Sequence, residues 1–344
     1  MKALALTGLR KLEFMEVPTP QITKDTDVQL KIAAVGICGS DVHYYETGRV
    51  GSQVVTYPYL IGHECSAIVA QVGRRVKNVK VGDKVVVEPA VSCHKCDQCK
   101  MGRENTCRNL SFLGTPGQGD GCLCEYMIMP EESCLVINDK LTLIQAALCE
   151  PFTIGLYAAK QGQGADRDKI TILGSGPIGL SCMTAARIKG AKKIYMTDKI
   201  NTRLDVAKAH GADWIGNPDV IDIVKEINKL EPLGIDVVYE CAGQQSTIDH
   251  ALEILRPGGK LVLVGIPRES RMSFNIDYAR RKEITIVNIR RQNRTTEETI
   301  ELIAEKRVHV DFLVTHRFAF KDAVKAFELV AGYKDGVIKA MVEF

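Results

Sequence analysis

The run Lys169-Ile-Thr-Ile-Leu173-Gly174-Ser175-Gly176-Pro177-Ile178-Gly179, continuing to Lys189, decides the fold. Residues 169–173 form a short apolar run that reads as a buried strand. Residues 177–189 carry a helical pattern opened by proline. Between them stands G-x-G-x-x-G. Its first glycine permits a tight turn, its second lets backbone approach a pyrophosphate, and its third allows close helix–strand packing. The helix N-terminus adds N–H donors and the positive end of the dipole. Alone the fingerprint is weak; the strand before it and the helix after it make it specific. Working outward, residues 193–197 read as a second strand ending at Asp198. A carboxylate there accepts hydrogen bonds from both hydroxyls of an adenosine ribose and repels a 2′-phosphate, which favours NAD over NADP. Gly174, Gly176, Pro177, Ile178, Gly179, Asp198 and Arg203 are therefore the candidate cofactor-binding residues. Lys199 and Arg203 pull the other way, because cations at this place tolerate a phosphate. The blander alternative is a glycine turn of some other parallel-sheet protein, with Asp198 merely capping the next helix.

The same rhythm continues: a helix over 202–210 closed by Gly211, then strands over 236–240 and 260–264. Such alternation predicts a parallel sheet with helices on both faces. Before about residue 150 the texture differs. Short β-rich runs at 1–6, 28–35, 65–72, 84–87 and 126–129 are punctuated by Gly and Pro, as in an irregular β domain. Beyond 283 come a strand, two amphipathic helices (296–305 and 321–330) and a last strand (337–342), read as a return to the first domain. The expected organisation is α/β: a first domain of 1–151 with 284–344, and a doubly wound dinucleotide-binding domain of 152–283.

Length agrees, since 344 residues at roughly 150 per domain give about two domains. Lys+Arg 45 against Asp+Glu 42 leaves a formal charge of +3, which argues against a nucleic-acid or membrane-surface binder. A 45% hydrophobic fraction argues against disorder. No apolar run is long enough to span a bilayer, and Arg10 and Lys11 interrupt the opening apolar stretch without a cleavage site. The expectation is a cytoplasmic protein with reduced thiols. There, 12 cysteines are too dilute for a disulfide scaffold, and a cluster of them points to metal.

That cluster is Cys93-x2-Cys96-x2-Cys99-x7-Cys107, in a lobe of about residues 90–110. Four thiolates in a short loop close a tetrahedral shell around Zn²⁺ with no open position, as in a structural site. An iron–sulfur cluster or four unconnected thiols fit the spacing less well. His94 abuts Cys93 and is left out of the shell. Three other places carry a mixed donor set: Gly36-Ile-Cys38-Gly-Ser40-Asp41-Val-His43, Gly62-His63-Glu64, and Glu150-Pro151-Phe-Thr153-Ile-Gly155. A thiolate, an imidazole and one or two carboxylates, with a position left for water, suit catalytic zinc, which polarises a bound alcohol or carbonyl oxygen. Taken singly each has an ordinary reading: a small buried cysteine, a surface His–Glu pair, an acid at a helix start.

Together these motifs resemble the zinc-dependent medium-chain alcohol dehydrogenases, and within them the sorbitol (polyol) dehydrogenases, from end to end. The resemblance rests on the Cys38 motif continuing through Tyr44 to Gly48-Arg-Val-Gly51, on Gly62-His63-Glu64, and on the four-cysteine lobe. Glu150-Pro151, Gly174–Gly179 with Asp198, and Leu313-Val-Thr-His316-Arg317-Phe318 extend it. It implies a GroES-like irregular β-barrel catalytic domain completed by the C-terminal segment, with the catalytic cleft between it and a Rossmann NAD-binding domain. It implies one catalytic zinc per chain, held by Cys38, His63 and Glu64, with Glu150 as a further ligand or a partner of the bound water. Cys149 competes with Glu150 for that role. The remaining Cys65, Cys122, Cys124, Cys134, Cys182 and Cys241 read as packing. Ser40 matches a relay hydroxyl and His43 a relay base, although a histidine between Val42 and Tyr44 can simply pack. Tyr44, Phe112, Thr115 and Arg291 match the substrate cleft.

The implied activity is NAD-linked hydride transfer from a secondary alcohol of a polyol, giving the ketose. One departure matters: Gln292 follows the cleft arginine where the family commonly has an aromatic. It lies in Arg290-Arg291-Gln-Asn-Arg294. That charge run is either a solvated face or a bidentate binder of a substrate phosphate. An alditol-phosphate dehydrogenase or a threonine-type dehydrogenase is thus the alternative activity, and an NAD- and zinc-binding sensor module the non-enzyme one. A homotetramer or homodimer is the family expectation; neither nucleic acid nor membrane is an expected partner.

Overall fold

A computed structural model describes residues 1–162 and 169–344. The chain divides into two units, Met1–Glu150 with Thr296–Phe344, and Pro151–Thr295. In the first, the strand Asp27–Gly36 is buried along its length except at exposed Lys31 and half-buried Ala33. Burial on both faces and both edges requires neighbours on each side. Glu64–Val72 pairs antiparallel along one edge. The other edge is shared, Tyr126–Pro130 taking residues 27–31 and Lys339–Glu343 taking residues 34–36. The sheet runs Cys134–Val136, Lys84–Val87, Glu64–Val72, Asp27–Gly36, Lys339–Glu343, Val314–Ala319, and only its last pair is parallel. A smaller sheet joins Lys11–Glu16, Lys2–Gly8 and Tyr59–Leu60. One core draws on both ends of the chain, with Leu30, Ile32 and Val69 packed in the same cluster as Phe327, Ala340 and Val342. This is the irregular β-rich domain the sequence predicted.

The second unit is a six-stranded parallel sheet in the order Trp214–Gly216, Lys193–Thr197, Lys169–Leu173, Ile235–Glu240, Leu255–Leu263, Thr285–Asn288. Numbered within the unit this is 3-2-1-4-5-6, the doubly wound Rossmann order. The helices Pro177–Ile188, Asn201–Ala209, Ile223–Leu230 and Gln245–Ile254 connect its strands. The first two strands fall where the apolar runs placed them, because a strand buried on both faces has no polar alternation. One boundary needs correction. The expected return to the first domain at residue 284 comes too early, since Thr285–Asn288 is the end strand of this sheet and the return lies at Thr296.

Two helices were not announced by periodicity. Gly39–Thr47 follows the central strand of the first unit. Leu143–Gly162 holds Glu150 in its interior, not at a helix start, with Pro151 inside. No helix among the described residues is long and apolar enough to cross a membrane.

Candidate metal and dinucleotide sites

The reactive set is assembled by strand register. Gly36 pairs with Glu64, so the chain just past Gly36 runs beside the chain just before Glu64. Cys38 and His63 are thereby brought together. Cys38 also stands at the N-cap of Gly39–Thr47, where its backbone N–H donates to Asp41 Oδ2 at 3.2 Å. The donor atoms of Cys38, His63 and Glu64 lie within 4.8 Å of one another, with His63 and Glu64 buried. A thiolate, an imidazole and a carboxylate are zinc's usual ligands, and three of them with a position to spare suit a reactive site. The group fits zinc.

Glu150 is not among the three residues whose donor atoms lie within 4.8 Å of one another. Its carboxyl is buried, and burial pushes its pKa up to about 8; His63 and Lys339 oppose the rise, while Glu64 and Glu88 add to it. The Cys149 thiol donates to the Gln145 carbonyl within its own helix, at 3.4 Å.

Two supporting residues were missed in the sequence. Asp41 is buried and accepts from the Gly62 N–H at 3.2 Å, with its Oδ1 at 3.4 Å from His63 Nδ1. Burial opposes a charge on His63, but Asp41 and Cys38 outweigh it and the net shift is upward. The signal was available, because a metal-binding histidine turns its second nitrogen to a carboxylate and Asp41 sits in the same motif. The other is Lys339. Its ammonium is 2% exposed and donates to Glu64 Oε1 at 2.7 Å, to Glu64 Oε2 at 2.6 Å, and to the Ile37 carbonyl at 3.1 Å. A lone charge inside the apolar run 337–342 was its only trace.

Ser40 Oγ donates to Cys38 Sγ at 3.3 Å. His43 is half-buried on the same helix. The Phe112 ring lies against the His63 ring, centroids 5.4 Å apart. Thr115 is buried in the turn after Phe112, its N–H donating to the Phe112 carbonyl. Tyr44 is buried against Tyr59, and its hydroxyl donates to Gln53 Oε1 at 3.3 Å. Arg291 belongs to the second unit, with a left-handed backbone (φ 54°) shared by Arg294.

The four-cysteine lobe gathers its sulfurs. Those of Cys93, Cys96, Cys99 and Cys107 lie within 4.8 Å of one another, with Cys96–Cys99 at 3.5 Å and Cys96–Cys107 at 3.9 Å. Four sulfurs placed tetrahedrally at about 2.3 Å from Zn²⁺ stand about 3.8 Å apart, so the spacing fits. Backbone N–H groups of Lys95 and Cys96 pull the Cys93 thiol down to about 6, while desolvation pushes Cys99 up to about 12. Within the lobe, Arg108 makes a bidentate pair with Asp97.

In the second unit, Gly176 caps the helix Pro177–Ile188 and proline occupies its first turn. A Cβ on Gly179 would stand 1.8 Å from the Gly174 carbonyl oxygen, so only glycine lets helix and loop pack. Asp198 Oδ2 accepts from the Ser175 N–H at 2.7 Å, and Oδ1 from the Ile200 N–H at 2.9 Å. The carboxylate thus ties the glycine loop to the end of the second strand. Arg203 is buried on Asn201–Ala209, its guanidinium beside Gly176.

A β-rich unit with a zinc-fitting donor group, joined in one chain to a Rossmann unit with an intact glycine loop, defines a zinc-dependent dehydrogenase using a nicotinamide dinucleotide. The chain belongs to the zinc-binding alcohol dehydrogenase family: residues 24–139 match its alcohol dehydrogenase GroES-like domain and residues 177–305 its zinc-binding dehydrogenase domain. A sorbitol dehydrogenase of Bacillus subtilis is 39% identical over 343 residues, covering 99% of this chain and 97% of the relative. Among solved structures, an Escherichia coli oxidoreductase of unknown specificity superposes with a TM-score of 0.94 at 31% identity, covering 99% of this chain and 98% of that one. Galactitol-1-phosphate dehydrogenase of Escherichia coli superposes with a TM-score of 0.92 at 26% identity, covering all of both chains.

Proposed function

We propose that this enzyme oxidises a secondary hydroxyl of a small unphosphorylated polyol, of the sorbitol or xylitol type, to the ketone, using NAD, and runs the reverse reduction. The Cys38–His63–Glu64 group, with His63 and Glu64 buried, carries the reading. These three residues hold the catalytic zinc, and Cys93, Cys96, Cys99 and Cys107 hold a structural one. When bound, the catalytic zinc supplies Lewis acidity to an alcohol oxygen, and the nicotinamide supplies the hydride acceptor.

The chain's own residues do the rest. Asp41 fixes the His63 ring through Nδ1 and leaves Nε2 for the metal. Ser40, beside the Cys38 sulfur, takes up the alcohol proton, and His43, three residues on along the same helix, passes it outward. Glu150 supplies a buried carboxyl beside these residues, as a further ligand or as a proton partner. Phe112 supplies an apolar wall beside His63, while Tyr44, Thr115 and Arg291 answer substrate hydroxyls, each of which needs a partner once out of water. Gly174, Gly176, Pro177, Ile178 and Gly179 cradle the pyrophosphate, with Arg203 beside them. Asp198 takes the ribose hydroxyls.

The polyol assignment draws on the sorbitol dehydrogenase at 39% identity, whereas the phosphorylated alternative draws on a weaker likeness at 26%. NADH absorbance with sorbitol, xylitol, galactitol and their terminal phosphates tests it. Turnover of the free polyols is expected. Turnover confined to the phosphates transfers the reading to Arg290, Arg291 and Arg294 as phosphate binders, and none with either class, in zinc-loaded protein, refutes it.

A homotetramer or homodimer is part of this reading, supported by the end strand Thr285–Asn288, which among the described residues pairs on one side only and exposes Ile286, with Ile276 and Tyr278 exposed on the preceding helix. Such an edge invites a second copy. The twelve cysteines are all thiols, which suits a reducing compartment, and a cytoplasmic location is proposed on that ground.

A further inference from the structure

Lys339 sits where a lysine is costly. Its neighbours in sequence, Ile338, Ala340 and Met341, are all buried, and the ammonium itself is 2% exposed. A buried charge persists only when it is paired and its hydrogen bonds are satisfied. All three N–H donors of Lys339 are spent, two on Glu64 and one on the Ile37 carbonyl. The strand order makes this pairing unusual. Glu64 and Lys339 lie on strands that flank Asp27–Gly36 from opposite edges, so their side chains must meet across that strand. They meet over Gly36. A Cβ there would stand 2.3 Å from Glu64 Oε2, so the missing side chain is the notch through which carboxylate and ammonium reach each other.

We propose that Lys339 is a positioning residue: through the notch at Gly36 it clamps both oxygens of Glu64 and presents the carboxylate to the metal with Cys38 and His63. The proposal rests on the reading that these three residues hold zinc. An ionised carboxylate has about four acceptor sites, so two hydrogen bonds from Lys339 leave the others for a cation. Fixing it removes the rotamer freedom that otherwise competes with ligation. Partners of this kind alter metal affinity by about 10- to 100-fold.

The test uses the full zinc-loaded chain and reads metal, not turnover. Zinc transfer to a chromophoric chelator gives the affinity of each site, and cobalt(II) exchanged into the reactive site reports its coordination by visible absorption. Lys339→Met, which keeps the stem and removes the donors, is expected to weaken one zinc by about 10- to 100-fold and alter the cobalt spectrum, while the lobe zinc stays. Lys339→Arg is expected to restore most of the affinity. Gly36→Ala is expected to act in the same direction, and the double variant to be less than additive, because both changes release one carboxylate. Lys339→Met with wild-type affinity and spectrum overturns the proposal. If that variant loses the lobe zinc as well, and so has not folded, Lys339→Arg and Gly36→Ala decide by the same readings. A wild-type chain that binds only the lobe zinc defeats the underlying metal reading instead.

Discussion

Replacing Asp198 by alanine separates the two jobs of this carboxylate. Structurally it accepts two backbone N–H groups, from Ser175 at 2.7 Å and Ile200 at 2.9 Å. Asp198 is half-buried, so water can reach both amides once it is gone. The loss is then about 1 kcal/mol per bond, about 2 kcal/mol in total, at the low end for charged acceptors. For a unit of this size that lowers Tm by about 4–8 °C. Functionally the carboxylate confronts a 2′-phosphate. Two unit charges about 4 Å apart at an effective dielectric of about 20 repel by about 4 kcal/mol, nearly a thousandfold in relative efficiency. Arg203, beside Gly176, is already placed to receive the phosphate once the repulsion is removed. The kcat/KM ratio for NAD over NADP is expected to fall by about 100- to 1,000-fold, measured with one polyol at saturation. A fall in Tm with an unchanged ratio refutes the reasoning, since Asp198 would then only tie the loop.

The other expectations are more compact. Cys99→Ser should bind one zinc fewer by metal analysis and shift the lobe from protected to protease-sensitive, because the loop has little apolar surface of its own; a full zinc complement would exclude the four-sulfur shell. In chelated, zinc-free protein, Glu150 binds its proton more tightly folded (about 8) than unfolded (4.5), so stability should fall as pH rises between those values. Glu150→Gln should flatten that slope in denaturant melts, and a slope equal to wild type would remove Glu150 as its source. His43→Ala should slow turnover most at low pH, where an outgoing proton most needs a base; an equal loss across the pH profile would leave His43 as packing.

Legibility in the sequence followed burial pattern. Lys169–Leu173 and Lys193–Thr197 were readable because both faces are covered, giving unbroken apolar runs. Thr285–Asn288 was readable as a strand too, but it lies at the end of the sheet with most of its residues exposed, and nothing in its sequence says which sheet it joins, so the domain boundary was set too early. Pro151 hid the long helix around Glu150, since a proline in mid-pattern ordinarily ends one. The donor set was legible as chemistry but not as geometry: Cys38 and His63 meet only because Gly36 and Glu64 are paired residues, and register is a property of two distant segments. Lys339 was invisible for the same reason, its partner lying far away along the chain.

The sharing of one strand edge by the beginning and the end of the chain has a consequence for biosynthesis. Gly36 pairs with Met341, and the Ile37 carbonyl binds Lys339, 302 residues later. At about 5–20 residues per second, a ribosome needs roughly 15–60 s to make the intervening chain. By the end of that interval the Rossmann unit has been made and is free to fold, and the cysteine lobe, formed by residues close in sequence, has long been free to take its metal. Glu64 still waits for its cation. Synthesis thus supplies the lobe first, the nucleotide unit next, and the ammonium partner of Glu64 last.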